Sequence, residues 1–179
     1  MNKSLRLVSH LSIGAILLAS VTIATSASGA ITKASVNPYG ASSIDPAALT
    51  DVILTLSSKG VTKKYIIADL EKMATKVITI NEPFVKKVQK FNVIPLSQLF
   101  AKVKISPKQK VVTLALNDYA YANTAGNFLS AQGYLAVLRN GEPIPYDQGG
   151  PIRIIFPDNS KWAKNLDPWN WSLQSITAK

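Results

Sequence analysis

Residues 133–157 have the sequence GYLAVLRNGEPIPYDQGGPIRIIFP, which predicts two strands and the turns around them. The run from Gly133 to Arg139 is mainly apolar, and Asn140-Gly141 directly after it is a strong signal for a tight hairpin turn. Gly149-Gly150-Pro151 then opens a second strand, Ile152 to Phe156, which a proline ends. This part of the chain therefore predicts a sheet.

The segments on either side predict further strands and short helices. Apolar residues on one face, with Pro95 near the start, predict a helix at Ser97–Lys102. Lys110–Leu116 is expected to be a buried strand, and the alternation in Trp169–Ile176 predicts a half-buried closing strand. The fold class is therefore α+β, mainly β. The other predicted strands are Asp51–Leu56, Tyr65–Ile67 and Val77–Ile80, and the other predicted helix is Ala68–Met73.

The beginning of the chain has the layout of a secretory signal peptide. Lys3 and Arg6 form a positive start, and Leu11–Ala24 is apolar or small. Ser28 and Ala30 fit the −3 and −1 positions of a cleavage site. A retained N-terminal anchor is the alternative, although the apolar run is short for a membrane span.

This layout predicts three regions along the chain. We expect residues 1–30 to be a cleaved signal peptide and residues 31–50 to be a flexible lead-in rich in Ser, Ala, Pro and Gly. Residues 51–179 are then expected to form one domain. The predicted location of the mature protein is the periplasm or the outside of the cell.

Two residue types are missing from the predicted mature chain. The sequence has no Cys, and its only His, His10, lies in the predicted signal peptide. This excludes Cys nucleophiles and Ser-His or Cys-His pairs, together with the common zinc and copper sites. We therefore expect no metal site and no disulfide.

The chain is strongly basic, with a formal net charge of +10 that falls to +8 when Lys3 and Arg6 are removed. The mature region contains only two arginines, Arg139 and Arg153, so it lacks the Arg-rich signature of nucleic-acid readers. We expect a solvated lysine face and no nucleic-acid partner. Anionic lipid and an acidic partner stay open as alternatives.

Several segments, taken in their order and spacing, resemble the oxidoreductase molybdopterin-binding domain of sulfite-oxidase-like proteins. The similarity covers roughly Asp51 to Ile176 and implies the sulfite-oxidase fold, with mixed sheets and two or more short helices. The segments are IPLSQLF at 94–100, LNDYA at 116–120, GYLAVLRNGEPI at 133–144, GGPIRIIFP at 149–157 and WNWSLQSI at 169–176.

The resemblance also shows where this chain departs from the catalytic members. Those members bind molybdenum through a Cys thiolate, which this chain cannot supply. Small stand-alone periplasmic members are thought to bind free pterins and to signal to a membrane partner. By this analogy we expect a non-catalytic domain that binds a pterin-like ligand and has a membrane receptor as its partner. Two alternatives stay open: a molybdopterin-dependent oxidoreductase, and a structural surface domain without a ligand.

The candidate ligand-binding residues follow from the chemistry of a pterin, which is flat and edged with donors and acceptors. Its site needs an aromatic face, a carboxylate or amide, and an Arg for a carbonyl or phosphate. Asn117, Asp118 and Tyr119 follow a predicted buried strand, where loops carry function. Arg139 precedes a hairpin turn, and Trp162 is expected to be exposed because it lies in an irregular polar loop.

Other conspicuous residues are expected to be structural. If Trp169 and Trp171 alternate within a strand, they are same-face neighbours in the core. We expect Arg153 to pair with an acid such as Asp147. Gly149-Gly150 is expected to serve turn geometry and not phosphate binding.

Overall fold

The structure, a computed structural model, describes residues 39–179, so the predicted signal peptide and its cleavage site lie outside the described residues. The described part contains ten strands, three short α-helices and one 3-10 turn. In chain order they are β1 (Val52–Ser58), β2 (Val61–Ile66), α1 (Ile67–Met73), β3 (Lys76–Glu82), β4 (Lys87–Pro95), α2 (Leu96–Lys102), β5 (Lys110–Ala115), β6 (Ala120–Thr124), α3 (Ala125–Ser130), β7 (Tyr134–Arg139), β8 (Glu142–Pro143), the 3-10 turn Tyr146–Gln148, β9 (Arg153–Ile155) and β10 (Leu173–Ala178).

The last strand occupies the middle of the first sheet, whose order is β2-β1-β10-β5-β6. Strand β10 runs parallel to β1 and antiparallel to β5. Leu56 and Ile176, which are far apart in the sequence, are therefore directly opposite each other. Because of this pairing, the sheet is continuous only when the C-terminal strand is in place.

The second sheet has the order β3-β4-β7-β8, and β9 also pairs with β7. The predicted hairpin is confirmed, because Arg139 at the end of β7 pairs with Glu142 at the start of β8. Asn140 and Gly141 have φ angles of 55° and 87°. Positive φ at both central residues is what a type I′ turn requires, and Asn-Gly provides it at low cost.

One apolar core takes side chains from both sheets and from the helices. Leu54 and Leu56 of β1 and Phe91 and Val93 of β4 have no exposed area. Burial of each such side chain contributes about 1.5–3 kcal/mol to folding. The predicted fold class, α+β and mainly β with short helices, is confirmed.

The sequence pattern did not predict β4, β6, α3 or the 3-10 turn. Strand β4 carries Lys87 and Lys90 among its apolar residues, which obscures the alternation. Helix α3 contains Gly126 and Asn127, which are poor helix formers. Its start is stabilised instead by a cap, because the Thr124 side chain accepts a hydrogen bond from the Asn127 N–H at 3.2 Å.

Two predicted strands need correction. The closing strand does not begin at Trp169 but at Leu173, because Ser172 has a left-handed φ of 49° that interrupts the extended chain. The strand predicted at Lys110–Leu116 ends at Ala115 and is buried on one face only: Val111 is buried, whereas Val112 is half-buried.

Residues 39–50 contain no helix or strand and are attached to the body of the domain. The Ser42 side chain donates a hydrogen bond to Asp147 at 2.7 Å, and the Ser43 N–H donates to the same carboxylate at 3.2 Å. Within residues 39–179, none of the helices combines the length and the apolar character that crossing a membrane requires.

Candidate functional site

A small cleft with a volume of about 300 Å³ opens where three loops meet. The turn between β3 and β4 supplies one side, the loop between β5 and β6 supplies a second, and the segment before β10 supplies the rest. Because these segments are distant in the sequence, only the folded sheets bring them together. The lining residues are Phe84, Asn117, Tyr119, Leu166, Asp167, Trp169 and Trp171.

Aromatic rings form most of the wall. The ring centroids of Phe84 and Trp171 are 4.1 Å apart, and those of Phe84 and Trp169 are 6.5 Å apart. Phe84 and Tyr119 are each 42% exposed, whereas Trp169 is buried. The cleft therefore has aromatic rings both at its rim and at its base, which is the arrangement that a flat ligand needs for stacking.

A hydrogen bond of Tyr119 connects two of the loops that line the cleft. The Tyr119 hydroxyl donates to the backbone oxygen of Asp167 at 2.8 Å, and the Tyr119 N–H donates to Asn117 Oδ1 at 3.3 Å. Burial raises the pKa of Tyr119 above its ordinary value, and the charge of Asp167 raises it further. The phenol is therefore protonated near neutral pH, and its hydroxyl holds the two loops together as a donor.

Asp118 is not among the residues that line the cleft. It lies in an exposed turn with a φ of 64°, and its N–H donates to the Ala115 oxygen at 3.2 Å. Asp is one of the few residues that adopt this left-handed conformation readily. The acidic residue in the lining is Asp167, on a different loop.

Arg139 lies away from the cleft lining, in a buried cluster. It is 5% exposed, donates to Gln148 Oε1, and its guanidinium lies 4.2 Å from the ring centre of Tyr39. Burial lowers the pKa of Arg139. Arg139 was predicted to bind the ligand, but it is buried against Tyr39 and does not line the cleft.

Arg153 is completely buried directly behind the cleft. Its guanidinium lies 4.8 Å from the ring centres of both Phe91 and Trp171, and its Nη1 is 3.8 Å from Glu82 Oε1. The expected pairing with Asp147 is wrong, because Asp147 is taken up by the two serines of the lead-in segment.

The buried ion pair of Arg153 and Glu82 contacts two parts of the cleft lining, the turn that carries Phe84 and the ring of Trp171. Glu82 Oε2 accepts hydrogen bonds from the Phe84 and Val85 N–H groups at 3.1 and 2.9 Å, which fixes the turn that carries Phe84. Arg153 stacks on Trp171 from the other side. The positions of these two aromatic rings therefore depend on one internal ion pair.

Gly149 allows Trp171 to take its position. The glycine has a φ of 83°, and a Cβ built there would lie 2.6 Å from a ring atom of Trp171. The positive φ agrees with the turn role that the sequence predicted, and the close packing against Trp171 is an additional reason for glycine here.

Trp162 is buried, and the prediction that it is exposed is wrong. It is 9% exposed and packs edge-on against Phe128 and Phe156, with centroid distances of 5.3 Å to each. The loop that carries it is anchored, because the Ser160 hydroxyl donates to the Ala131 oxygen at 2.6 Å. The Trp162 backbone oxygen accepts a hydrogen bond from Trp169 Nε1 at 2.9 Å, so Trp162 helps to hold Trp169 in the cleft lining.

Of the predicted site residues, the structure brings only Asn117 and Tyr119 into the cleft. Sequence reasoning did not find Phe84, Leu166 or Asp167, and it assigned Trp169 and Trp171 to the core. The Glu82-Pro83 break just before Phe84 was the one local signal for that loop. The sequence pattern did not indicate that Leu166 and Asp167 lie next to the loop that carries Phe84.

The fold and the cleft define a class of protein, a mixed α+β domain with a small cleft lined by aromatic residues between loops. The model of the family described as the oxidoreductase molybdopterin binding domain matches residues 68–172. The chain belongs to this family, and every residue that lines the cleft lies within the matched range. No curated protein matches the sequence.

Proposed function

We propose that this domain binds a pterin-like heterocycle in the cleft and does not catalyse molybdenum chemistry. The observation that carries the proposal is the combination of four aromatic rings with one carboxylate and one amide around a space of about 300 Å³. That volume lies at the lower end of the range for small-molecule sites, so it suits a single fused-ring ligand.

The expected binding mode follows from the two kinds of lining group. The ligand's ring stacks on the exposed faces of Phe84 and Tyr119, which contributes roughly 1 kcal/mol beyond the burial of its surface. Its amino edge donates to the Asp167 carboxylate, a charge-assisted contact of roughly 1.5–3 kcal/mol. Together with burial, these contacts support an affinity in the micromolar range, about −8 kcal/mol.

The lining does not fit the molybdenum centre of catalytic relatives. Its polar groups offer oxygen and nitrogen donors, and a sequence without Cys has no thiolate donor. Within residues 39–179, no cluster of three or more potential metal-ligating His, Cys, Asp or Glu side chains occurs. A soft thiolate is the ligand that the resemblance implies, and neither a carboxylate nor an amide replaces it.

Calorimetric titration with oxidised and dihydro pterins tests this proposal. The chain from Ile31 onward, which contains every described helix and strand, is expected to bind at least one of them with micromolar affinity. Asp167→Asn is expected to weaken binding about tenfold, because a charge-assisted hydrogen bond becomes a neutral one. Glu142→Gln is the matched control, since this exposed acid lies on β8, outside the cleft lining.

Asp118→Asn tests which of the two acids contacts the ligand, because the sequence predicted Asp118 and the cleft lining contains Asp167. The structure places Asp118 outside the lining, so binding is expected to be unchanged. A tenfold loss in Asp118→Asn with none in Asp167→Asn would move the site to the other carboxylate. The absence of saturable binding to every pterin tested would reject the proposed ligand class.

A further inference from the structure

We propose that one side of this domain is a docking surface for anionic phospholipid membranes. We call this surface the lysine face and define it by the exposed residues Lys59, Lys63, Lys64, Lys72, Lys102 and Lys110. The sequence shows only that lysines are frequent. The structure brings four of them, from three separate elements, into the lining of one hollow.

Four of the lysines line one shallow hollow of about 480 Å³: Lys63, Lys64, Lys72 and Lys102. They come from β2, α1 and the end of α2, which are brought together by packing. Asp69 is the only acid in the lining. The hollow therefore carries a formal charge of +3.

Strand register places the other two lysines at the adjoining end of the first sheet. Ser58, Ala178 and Val111 lie in register across β1, β10 and β5. Lys59 follows Ser58 directly, and Lys110 precedes Val111 directly. Since β2 begins two residues after Lys59, this end of the sheet continues into the strand that carries the lysines of the hollow.

No lysine of the lysine face forms an ion pair with an acid of the described residues. Among residues 39–179 the only ion pair within 4.0 Å joins Arg153 and Glu82, both completely buried. None of the six ammonium groups is therefore paired with a carboxylate of the described domain. A cluster of exposed, unpaired charges of one sign produces a field that attracts an oppositely charged surface.

The chemistry of the face favours a lipid surface over nucleic acid or a single phosphate group. Recognition of one phosphate typically uses the planar fork of Arg, and both described arginines, Arg139 and Arg153, are buried elsewhere. Single-stranded nucleic acid requires exposed aromatic rings among the basic residues, whereas Tyr65, the aromatic residue of the hollow, is buried. Attraction to a membrane of anionic headgroups does not require an exact spacing of the basic residues, so lysines spread over an open surface are sufficient.

Co-sedimentation with vesicles tests the proposal, using the chain from Ile31 onward so that the apolar N-terminal run does not contribute. The protein is expected to bind vesicles of phosphatidylcholine mixed with phosphatidylglycerol, and not vesicles of phosphatidylcholine alone. Binding is expected to weaken as salt rises, because the attraction is screened.

Charge-matched variants locate the surface. Each Lys near an anionic membrane contributes about fivefold to partitioning, so Lys63→Gln/Lys64→Gln/Lys102→Gln is expected to reduce it about 100-fold. The control, Lys86→Gln/Lys87→Gln/Lys90→Gln, removes the same charge from exposed positions in and beside β4, and it is expected to retain most of the binding. Asp69→Asn is expected to strengthen binding, since it removes the acid from the hollow.

Three outcomes would overturn the proposal. One is the absence of binding to anionic vesicles at low salt. Another is an equal loss in the two triple variants, which would indicate net charge without a defined surface. The third is binding to polyglutamate without binding to vesicles, which would indicate an acidic protein partner. Circular dichroism of each variant verifies that the fold is intact.

Discussion

Replacing Glu82 by Gln tests whether a single ion pair organises the aromatic cleft. The Glu82 side chain has no exposed area, and one of its oxygens accepts from two backbone N–H groups at 3.1 and 2.9 Å. Its other oxygen faces the guanidinium of Arg153 at 3.8 Å. Gln preserves the shape and can still accept hydrogen bonds, but it leaves a buried positive charge without compensation.

The size of the effect follows from that uncompensated charge. Removal of one partner from a buried ion pair typically costs about 3–5 kcal/mol, far more than an exposed pair is worth. For a domain of this size, a loss of about 3–5 kcal/mol lowers the melting temperature by about 6–20 °C. Glu82→Gln is therefore expected to be severely destabilised, although it only replaces one carboxylate oxygen by an amide nitrogen.

Urea unfolding of a double-mutant cycle measures the interaction. Arg153→Met removes the charge and keeps an apolar stem between Phe91 and Trp171, so the double variant Glu82→Gln/Arg153→Met is expected to lose less stability than the two single losses added together. A cost below about 1 kcal/mol for Glu82→Gln would refute the reasoning, because it would mean that the guanidinium is adequately solvated or paired elsewhere. Additive losses in the cycle would refute it as well.

Two further changes test local features of the fold. Gly149→Ala and Gly141→Ala both force a residue with a side chain to a positive φ, which costs about 1–3 kcal/mol. A Cβ at 141 meets nothing within 4 Å, whereas one at 149 meets the indole of Trp171, which lines the cleft. Gly149→Ala is therefore expected to be clearly less stable than Gly141→Ala in urea, and equal stabilities would contradict the packing argument. The second test is acidification: hydrogen bonds from Ser42 and Ser43 lower the pKa of Asp147. A carboxylate with a depressed pKa stabilises the fold above its unfolded pKa and loses this contribution as the pH falls through its folded value. The protection factor of the Ser43 amide is thus expected to fall as the pH drops below about 4, and Asp147→Asn is expected to remove that step; a protection factor that stays constant would contradict the account.

Local signals were sufficient for much of the fold. The Asn140-Gly141 turn and the strand before it could be predicted because the residues that define them are adjacent. Strand β4 could not, since its buried Gln89 and exposed Val88 reverse the usual pattern and its lysines obscure the period further. The start of β10 depended on one left-handed residue, Ser172, whose conformation no pattern indicates.

The candidate site was less accessible to prediction because it is assembled from distant loops. Asn117 and Tyr119 were found because they follow a strand directly. Asp118 was chosen as the carboxylate on proximity in the sequence, whereas the acid that lines the cleft, Asp167, comes from a loop nearly fifty residues later. Trp162 looked exposed because its neighbours are polar, yet its loop folds back onto the core.

Indole N–H signals in a nitrogen-15 NMR titration test the central claim most directly, because the domain contains only three tryptophans. Trp169 and Trp171 line the cleft, whereas the ring of Trp162 packs against Phe128 and Phe156 beneath it. Addition of a pterin is expected to produce saturable shifts of the Trp169 and Trp171 signals, with a much smaller effect on Trp162. If no indole signal shifts at millimolar pterin, or if Trp162 alone responds, the aromatic cleft is not the ligand site.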